Sequence, residues 1–309
     1  MDILLQQILN GLVLGSVYAL VALGYTMVYG ILGLINFAHG EVVMIGAMVA
    51  LTVMNALVSA GLGLPGPLVV MLALLAAMLV CMALGFSVER VAYRPLRKAP
   101  RLAPLITAIG MSILLQNIAM LIWGRQYQTV PRLISHESHT IFGATITDLQ
   151  ILILITSAVI MCGLLALVHY TRLGRAMRAT SENPTVAGLM GVNINRIISA
   201  TFVIGSAMAA VAGVLVSANY SIAHYSMGFM LGLKAFTAAV LGGIGNLGGA
   251  MLGGLLLGLI ESIGAGYIGD VTGGFLGSHY QDVFAFVVLI LVLVFRPTGL
   301  LGERVAERA

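Results

Sequence analysis

The chain of 309 residues is too apolar for a water-soluble protein, because 60% of its residues are hydrophobic and only 8% carry a charge. Soluble domains carry about 25% charged residues, and 15 basic plus 11 acidic side chains are too few to cover a soluble fold of this size. The composition excludes an ordinary soluble enzyme, a disordered chain and a secreted disulfide scaffold. It predicts an all-α polytopic membrane protein with a single membrane domain over 1–309.

Apolar segments follow one another along the chain, separated by polar breaks or by breaks rich in glycine and proline. They run over 4–31, 40–60, 67–88, 102–123, 149–169, 197–218, 230–243, 249–266 and 281–296. A membrane-spanning helix needs about 20 residues, so we expect eight or nine membrane segments. The break near 242–249 is rich enough in glycine to turn the chain, and the two segments that flank it either cross the membrane or re-enter it.

The distribution of basic residues predicts that the N-terminus lies outside and the C-terminus in the cytoplasm. The first basic residue is Arg90, so no positive charge holds the N-terminus inside. With this orientation, 12 basic residues fall inside: Arg90, Arg94, Arg97, Lys98, Arg101, Arg172, Arg175, Arg178, Arg196, Arg296, Arg304 and Arg308. Three fall outside: Arg125, Arg132 and Lys234. The net charge of +4 thus reflects membrane topology, and no nucleic-acid partner is expected.

The motifs of several enzyme classes are absent from the sequence. The chain has only two lysines, Lys98 and Lys234, and neither follows the glycine pattern of a phosphate-binding P-loop. His136 and His139 are three residues apart in a predicted outside loop without cysteine partners, which favours a solvated loop over a metal site. We therefore expect no catalytic residues, metal or cofactor in this chain. Active transport would draw its energy from an ion gradient or from another subunit.

Six polar residues in or beside the apolar segments are candidates for a translocation path or gate: Asn36, His39, Glu41, Gln116, Asn117 and Glu261. Each has a structural alternative. Glu41 would lie at the membrane interface, near the start of a helix capped by Asn36. Glu261 would pair structurally with small neighbours or water, and Gln116 and Asn117 would hydrogen-bond neighbouring helices. Ionisable residues are so scarce in these segments that we expect a path without a fixed selectivity charge.

The inside loop over 171–196 is long enough to contain a helix of its own. Asn183 followed by Pro184 is typical of a helix start, and Gly191 is suited to the residue after a helix end. A helix of about seven residues is unstable alone in water, so it must pack against something. Its apolar residues Val186, Leu189 and Met190 suggest a socket on a partner protein, and the alternative is packing against its own membrane domain.

Several blocks of the sequence, in order, resemble the LivH-type permease of the branched-chain amino acid ABC importer. They are NFAHGE at Asn36–Glu41, ERVAYRPLR at Glu89–Arg97, IGMSI at Ile109–Ile113 with Gln116 and Asn117, GLMGVN at Gly188–Asn193, TFVIG at Thr201–Gly205, AFTAAVLGGIGN at Ala235–Asn246 and RPTGL at Arg296–Leu300. The resemblance covers almost the whole chain. Sister permeases for urea or short amides share much of this pattern.

The resemblance implies a multi-pass subunit of the bacterial inner membrane that works by alternating access. Its partners would be a related LivM-like permease, two cytosolic ATPases of the LivG-like and LivF-like types, and a periplasmic binding protein that delivers leucine, isoleucine or valine. ATP would be used by the partner subunits. The segment that resembles the ATPase-contacting loop contains Ser181, Glu182, Asn183, Pro184, Ala187, Gly188, Leu189 and Gly191. Two alternatives stay open: the same machine carrying urea or a short amide, and an ion-driven carrier or channel working alone.

Overall fold

The computed structural model describes residues 2–97, 99–100, 102–135, 137–141, 143–271 and 280–302. Of the residues discussed above, Lys98, Arg101, His136, Arg304 and Arg308 lie outside these ranges. The described helices are α1 (Asp2–Leu32), α2 (His39–Ser59), α3 (Gly66–Val88), α4 (Leu102–Trp123), α5 (Asp148–Tyr170), α6 (Arg172–Glu182), α7 (Pro184–Leu189), α8 (Ile194–Tyr220), α9 (Met227–Gly242), α10 (Leu247–Val271) and α11 (Gln281–Phe295). A π-helical turn over Glu89–Tyr93 and a 3₁₀ turn over Arg94–Leu96 extend α3.

Nine apolar helices match the nine apolar segments of the sequence to within a few residues. Among the described residues, seven of them are long and apolar enough to span a membrane: α1, α2, α3, α4, α5, α8 and α10. The other two, α9 and α11, have 16 and 15 residues. At 1.5 Å per residue they are shorter than a hydrocarbon core of about 30 Å. The prediction of a helical, polytopic membrane protein is confirmed.

Helix α1 lies in the centre of the bundle and packs most closely against α10. Gly11 and Gly15 of α1 allow this approach, because a Cβ at either position would lie 2.8 Å from a Cα of α10. On the α10 side, Gly258 lies against Gly15 and Gly254 against Ala19. Helices in lipid associate through such close backbone contacts, since lipid provides no hydrophobic drive between them. Gly254 and Gly258 of α10 therefore lie at its contact with α1.

Two short antiparallel β-ribbons lie together at one end of the bundle. In the first, β1 (Gln128–Thr129) pairs with β4 (Ile222–Ala223); in the second, β2 (Ser138–Ile141) pairs with β3 (Ala144–Thr147). The start of α1 lies here too, because the Gln6 side chain bonds the Thr145 backbone in both directions, at 2.8 and 3.0 Å. We call this the ribbon end. The sequence did not predict these strands.

The opposite end of the bundle carries α6 and α7, and we call it the short-helix end. The connection between α9 and α10 lies here, with Gly245 beside Met177 of α6 at a small crevice. The segment after α11 lies here as well, since Asn246 Nδ2 donates to the Leu301 carbonyl over 3.0 Å. Helix α9 thus runs from the ribbon end to the short-helix end, and α10 returns. The glycine-rich break lies where it was predicted, with Gly245 at a φ of +97°.

Candidate functional site

The short helix α7 is fixed by caps at both ends. At its start, the Asn183 side chain accepts a hydrogen bond of 3.0 Å from the Val186 backbone, and Pro184 takes the first helical position. At its end, Gly191 has a φ of +88°, donates to the Gly188 carbonyl, and leads into a bond from the Val192 N–H to the Ala187 carbonyl. This is the Schellman arrangement. The start and stop signals in the sequence are confirmed.

An apolar patch on α7 is open to solvent at the short-helix end. Val186, Leu189 and Met190 are 52%, 84% and 81% exposed, and we call these three residues the α7 patch. Large apolar side chains grouped in this way mark interaction surfaces. Other exposed residues of the predicted ATPase-contacting segment surround the patch: Ser181, Glu182, Asn183, Pro184, Gly188 and Gly191.

Ala187 is the exception in that segment, because it is only 4% exposed and faces its own chain. The Ala187 side chain therefore cannot belong to a surface of α7 that contacts a partner protein. The prediction that Ala187 contacts a partner is therefore wrong. A six-residue helix has one inward face and one outward face, and the sequence pattern did not separate them.

A buried ion pair connects the segment after α3 to the start of α8. Arg97 pairs with Glu89, which is fully buried, and Glu89 also accepts a 2.6 Å hydrogen bond from Ser199. Arg97 donates a second bond, of 2.8 Å, to Asn195. Burial lowers the pKa of the Arg97 guanidinium, while the Glu89 charge raises it. These contacts connect the segment after α3 to the helix that follows α7 in the chain.

The segment Asn36–Glu41 turns back among the helices and does not stay at the membrane interface. His39, the first residue of α2, lies beside Gly24 of α1 and Gly205 of α8, both well inside their helices. A Cβ at Gly24 would collide with the His39 ring, so only glycine fits there. The interfacial alternative for Glu41 is therefore wrong.

Asn36 does not cap α2, contrary to the prediction. The N-cap residue is Ala38, which makes no side-chain bond, and the Asn36 Oδ1 instead accepts a 2.7 Å bond from the Tyr93 hydroxyl. Both side chains are buried. The contact links the re-entrant segment to the π-helical turn that contains Glu89. Two of the sequence blocks quoted above thus meet in space.

Glu41 and His39 are both buried among α1, α2, α4 and α9. Glu41 is 0% exposed and accepts a 3.1 Å hydrogen bond from Ser112 of α4. His39 packs edge-on against Tyr25, with ring centroids 4.9 Å apart. Ser112 was not among the residues predicted from the sequence. Its hydroxyl, one turn before Gln116 in an apolar helix, could have indicated a buried polar contact. Asn36, His39 and Glu41 are all buried, and each side chain contacts a different residue: Tyr93, Tyr25 and Ser112.

The polar pair of α4 lies away from this cluster. Asn117 is exposed on the outer face of α4, and its amide donates to the Ile113 carbonyl one turn earlier, at 2.7 Å. It bonds its own helix and not a neighbouring one, so the predicted helix–helix hydrogen bond of Asn117 is wrong. Gln116 is half-buried beside it.

Glu261 belongs to a second buried cluster, which joins three helices. Lys234 in the middle of α9 forms ion pairs with Glu261 of α10 and with Asp282 of α11, the latter with Nζ and Oδ1 2.6 Å apart. The lysine and glutamate side chains are 12% and 1% exposed. Counting Lys234 among the outside basic residues was wrong, because it lies in the middle of α9 and its side chain is only 12% exposed. A single lysine within an apolar segment was the available signal.

Metal ligands do not cluster in the part of the chain that the structure describes, where no group of three His, Cys, Asp or Glu side chains could hold an ion. His139 instead contacts Asp148 at the start of α5, with Nε2 and Oδ1 2.7 Å apart.

Comparison with known proteins gives close matches over almost the whole chain. A family model described as the permease component of the branched-chain amino acid transport system matches residues 7–293. The chain is 50% identical to the high-affinity branched-chain amino acid transport system permease protein BraD of Pseudomonas aeruginosa, over 98% of this chain and 97% of that protein. It is 48% identical to LivH of Escherichia coli K12, with the same coverage. The ribose import permease protein RbsC of Escherichia coli K12 matches 41% of this chain and 40% of its own length, at 31% identity.

Proposed function

The chain belongs to the family of permease components of branched-chain amino acid transport systems, and from this membership we propose its activity. It is the permease subunit of an ATP-driven importer that moves leucine, isoleucine and valine across the bacterial inner membrane by alternating access. The observation that carries the proposal is the match of about half of all residues, over nearly the full length, to two permeases whose names state this transport.

The partners follow from the same family. We infer a second, related permease subunit, two cytosolic ATPases of the LivG-like and LivF-like types, and a binding protein that delivers the amino acid. The sequence contains no P-loop lysine, which supports hydrolysis of ATP on separate subunits. The α7 patch is the surface that we assign to an ATPase. It offers an ordered helix with exposed apolar side chains, the mode of recognition in which a groove accepts a helix.

The proposed topology has nine membrane-inserted helices, the N-terminus outside and the C-terminus inside. The described N-terminal residues lie at the ribbon end and the described C-terminal residues at the short-helix end, which an odd number of passes requires. The short-helix end carries α6 with its three arginines, so the excess of positive charge in cytoplasmic loops supports placing this end inside. The ATPases would then reach α7.

Transport by the assembled complex tests the function. Liposomes that contain both permease subunits and both ATPases should accumulate leucine when ATP and loaded binding protein are supplied, and excess isoleucine or valine should compete. Lysine and glutamate should compete poorly, because moving their extra side-chain charge from water into an apolar compartment is unfavourable. If urea abolished leucine uptake and isoleucine did not affect it, the chain would belong to the urea or amide branch. Uptake by the permease alone, driven by an ion gradient, would support the carrier alternative.

A substitution in the α7 patch tests the docking assignment. Leu189→Asp places a charge at the most exposed residue of the patch, where it would be buried without a partner in the ATPase groove. Central interface residues contribute about 2 kcal/mol or more, so affinity for the ATPases should fall by roughly 30-fold or more.

Thr185→Asp is the matched control, since Thr185 is exposed on the same helix outside the patch. Co-purification of the ATPases with each variant is the measurement, with membrane insertion checked separately. Normal ATPase binding by L189D would refute the assignment. Ala187→Asp is unsuitable for this purpose because Ala187 packs inward and its substitution would disturb the permease itself.

A further inference from the structure

Two cavities lie on either side of the Lys234–Glu261 ion pair. The first, of about 210 Å³, is lined by Lys234, and the second, of about 230 Å³, by Glu261. Leu14 and Tyr220 line both cavities, so they adjoin each other. Both are below the roughly 300–1,000 Å³ of sites for drug-sized ligands, which fits a smaller solute.

The first cavity has mainly apolar walls. They come from α1, α8, α9 and β4, and include Leu14, Val216, Ile222, Met227, Met230 and Leu231. The polar exceptions are at its borders, where Lys234 and the aromatic residues lie. An aliphatic side chain can lie between such walls without burying a polar group that lacks a hydrogen-bond partner. Methionines adapt to side chains of different branching because they are flexible.

Most of the residues that line the second cavity have a polar group. Gln7, Asn10, Gln150, Asn219 and Ser262 line it together with Glu261. Amide and hydroxyl groups can hold water or the polar end of a solute. The two cavities together therefore present an apolar compartment and a polar compartment that meet at one pair of opposite charges.

The charged cluster between them carries one more negative than positive charge, because Lys234 pairs with both Glu261 and Asp282. A lysine ammonium has three N–H donors, and two carboxylates leave one donor for a further acceptor. An α-amino acid supplies a carboxylate for that donor and an ammonium group for the surplus carboxylate charge. A zwitterion has no net charge, so the cluster keeps its single surplus negative charge when the solute binds, now shared among two ammonium groups and three carboxylates.

We propose that these cavities and the Lys234–Glu261 pair form a transient site for the α-ammonium and α-carboxylate groups of the transported amino acid, with its aliphatic side chain in the first cavity. Tyr127 and His224, from the strands and loops of the ribbon end, line the first cavity, so the site is reached from that end. The inference rests on the proposed function and extends it, because it gives the permease its own selectivity.

Protection of an introduced cysteine tests the site directly. In a complex whose permease carries Cys81→Ala and Cys162→Ala, Met230→Cys places a thiol in the wall of the first cavity. Leucine at millimolar concentration should slow the reaction of this thiol with a maleimide. Ser138→Cys, on the exposed β2 strand, is the control whose labelling leucine should not change.

Analogues that lack one charged group test the role of the ion pair without a further variant. 4-Methylpentanoate keeps the carboxylate and the aliphatic chain of leucine, and isopentylamine keeps the ammonium group and the chain. Neither should protect position 230 at the concentration at which leucine does. Equal protection by either analogue would overturn the assignment of the two charged groups.

The triple variant K234M/E261Q/D282N separates a binding role from a purely structural one. Neutralising Lys234 together with both of its carboxylate partners avoids leaving one charge alone, so the subunits should still assemble. The leucine concentration for half-protection should rise at least about tenfold, equal to about 1.4 kcal/mol. Unchanged protection in this variant would refute the proposal.

ATP-driven leucine uptake by the same cysteine-substituted complex reports on the proposed function alone. Uptake without protection at position 230 would overturn the cavity site and leave the function standing. An absence of uptake in the unsubstituted complex would overturn the function and the site with it.

Discussion

The contact between α1 and α10 leads to opposite expectations for two glycine-to-alanine substitutions in one helix. A Cβ at Gly15 would lie 2.8 Å from the Leu255 Cα and 2.9 Å from the Gly254 carbonyl oxygen. Carbon atoms pack at about 3.5–4.0 Å, so the two backbones would have to separate by roughly 1 Å. Overpacking of this kind costs about 1–3 kcal/mol. Gly30, in contrast, has only the Gly245 backbone nearby, at 3.8 Å.

Gly30→Ala should therefore raise the free energy of unfolding by the gain in helix propensity, about 1 kcal/mol. In Gly15→Ala, the destabilisation from overpacking should exceed this gain. We expect the apparent melting temperature of the purified permease in detergent to fall in G15A and to stay equal or rise in G30A. Size-exclusion chromatography after heating provides the measurement, and co-purification of the ATPases shows that both variants are assembled. If G15A were as stable as G30A, the close approach of α1 and α10 would be refuted.

Two further predictions concern topology and the ion pair near the short-helix end. In a permease without its native cysteines, a membrane-impermeant thiol reagent on intact cells should label a cysteine introduced at Ser138. A cysteine introduced at Glu182 should react only after the membrane is permeabilised, and the reverse pattern would contradict the orientation. Glu89→Ala should lower the apparent melting temperature strongly, because an unpaired buried guanidinium costs about 3–5 kcal/mol. The double variant E89L/R97M should recover much of that loss, and an E89A permease as stable as the wild type would show that the pair does not matter.

Local features of the sequence were sufficient to predict the helices. Hydropathy over about 20 residues identifies a segment that can replace water by lipid, and this property needs no knowledge of its neighbours. Each of the nine apolar segments accordingly became a helix with bounds close to those expected. The caps of α7 are equally local, since the Asn183 side chain and Gly191 act on backbone groups within one turn.

Contacts between distant residues required the tertiary structure. Ser112 and Glu41 are 71 residues apart, and Lys234 and Glu261 are 27 apart, so nothing in either local segment indicates the partner. The depth at which Asn36–Glu41 lies and the inward direction of Ala187 have the same origin.

The physical reason is the uniform hydrophobicity of helices in lipid. In a soluble protein, an amphipathic stripe shows which face of a helix is buried. A helix such as α1 is apolar on every side, whether that side faces protein or lipid. Its packing is decided by the fit of small residues such as Gly11 and Gly15 against one particular neighbouring helix. The sequence thus determined which segments enter the membrane, and only the packing of those segments decided which buried charges meet.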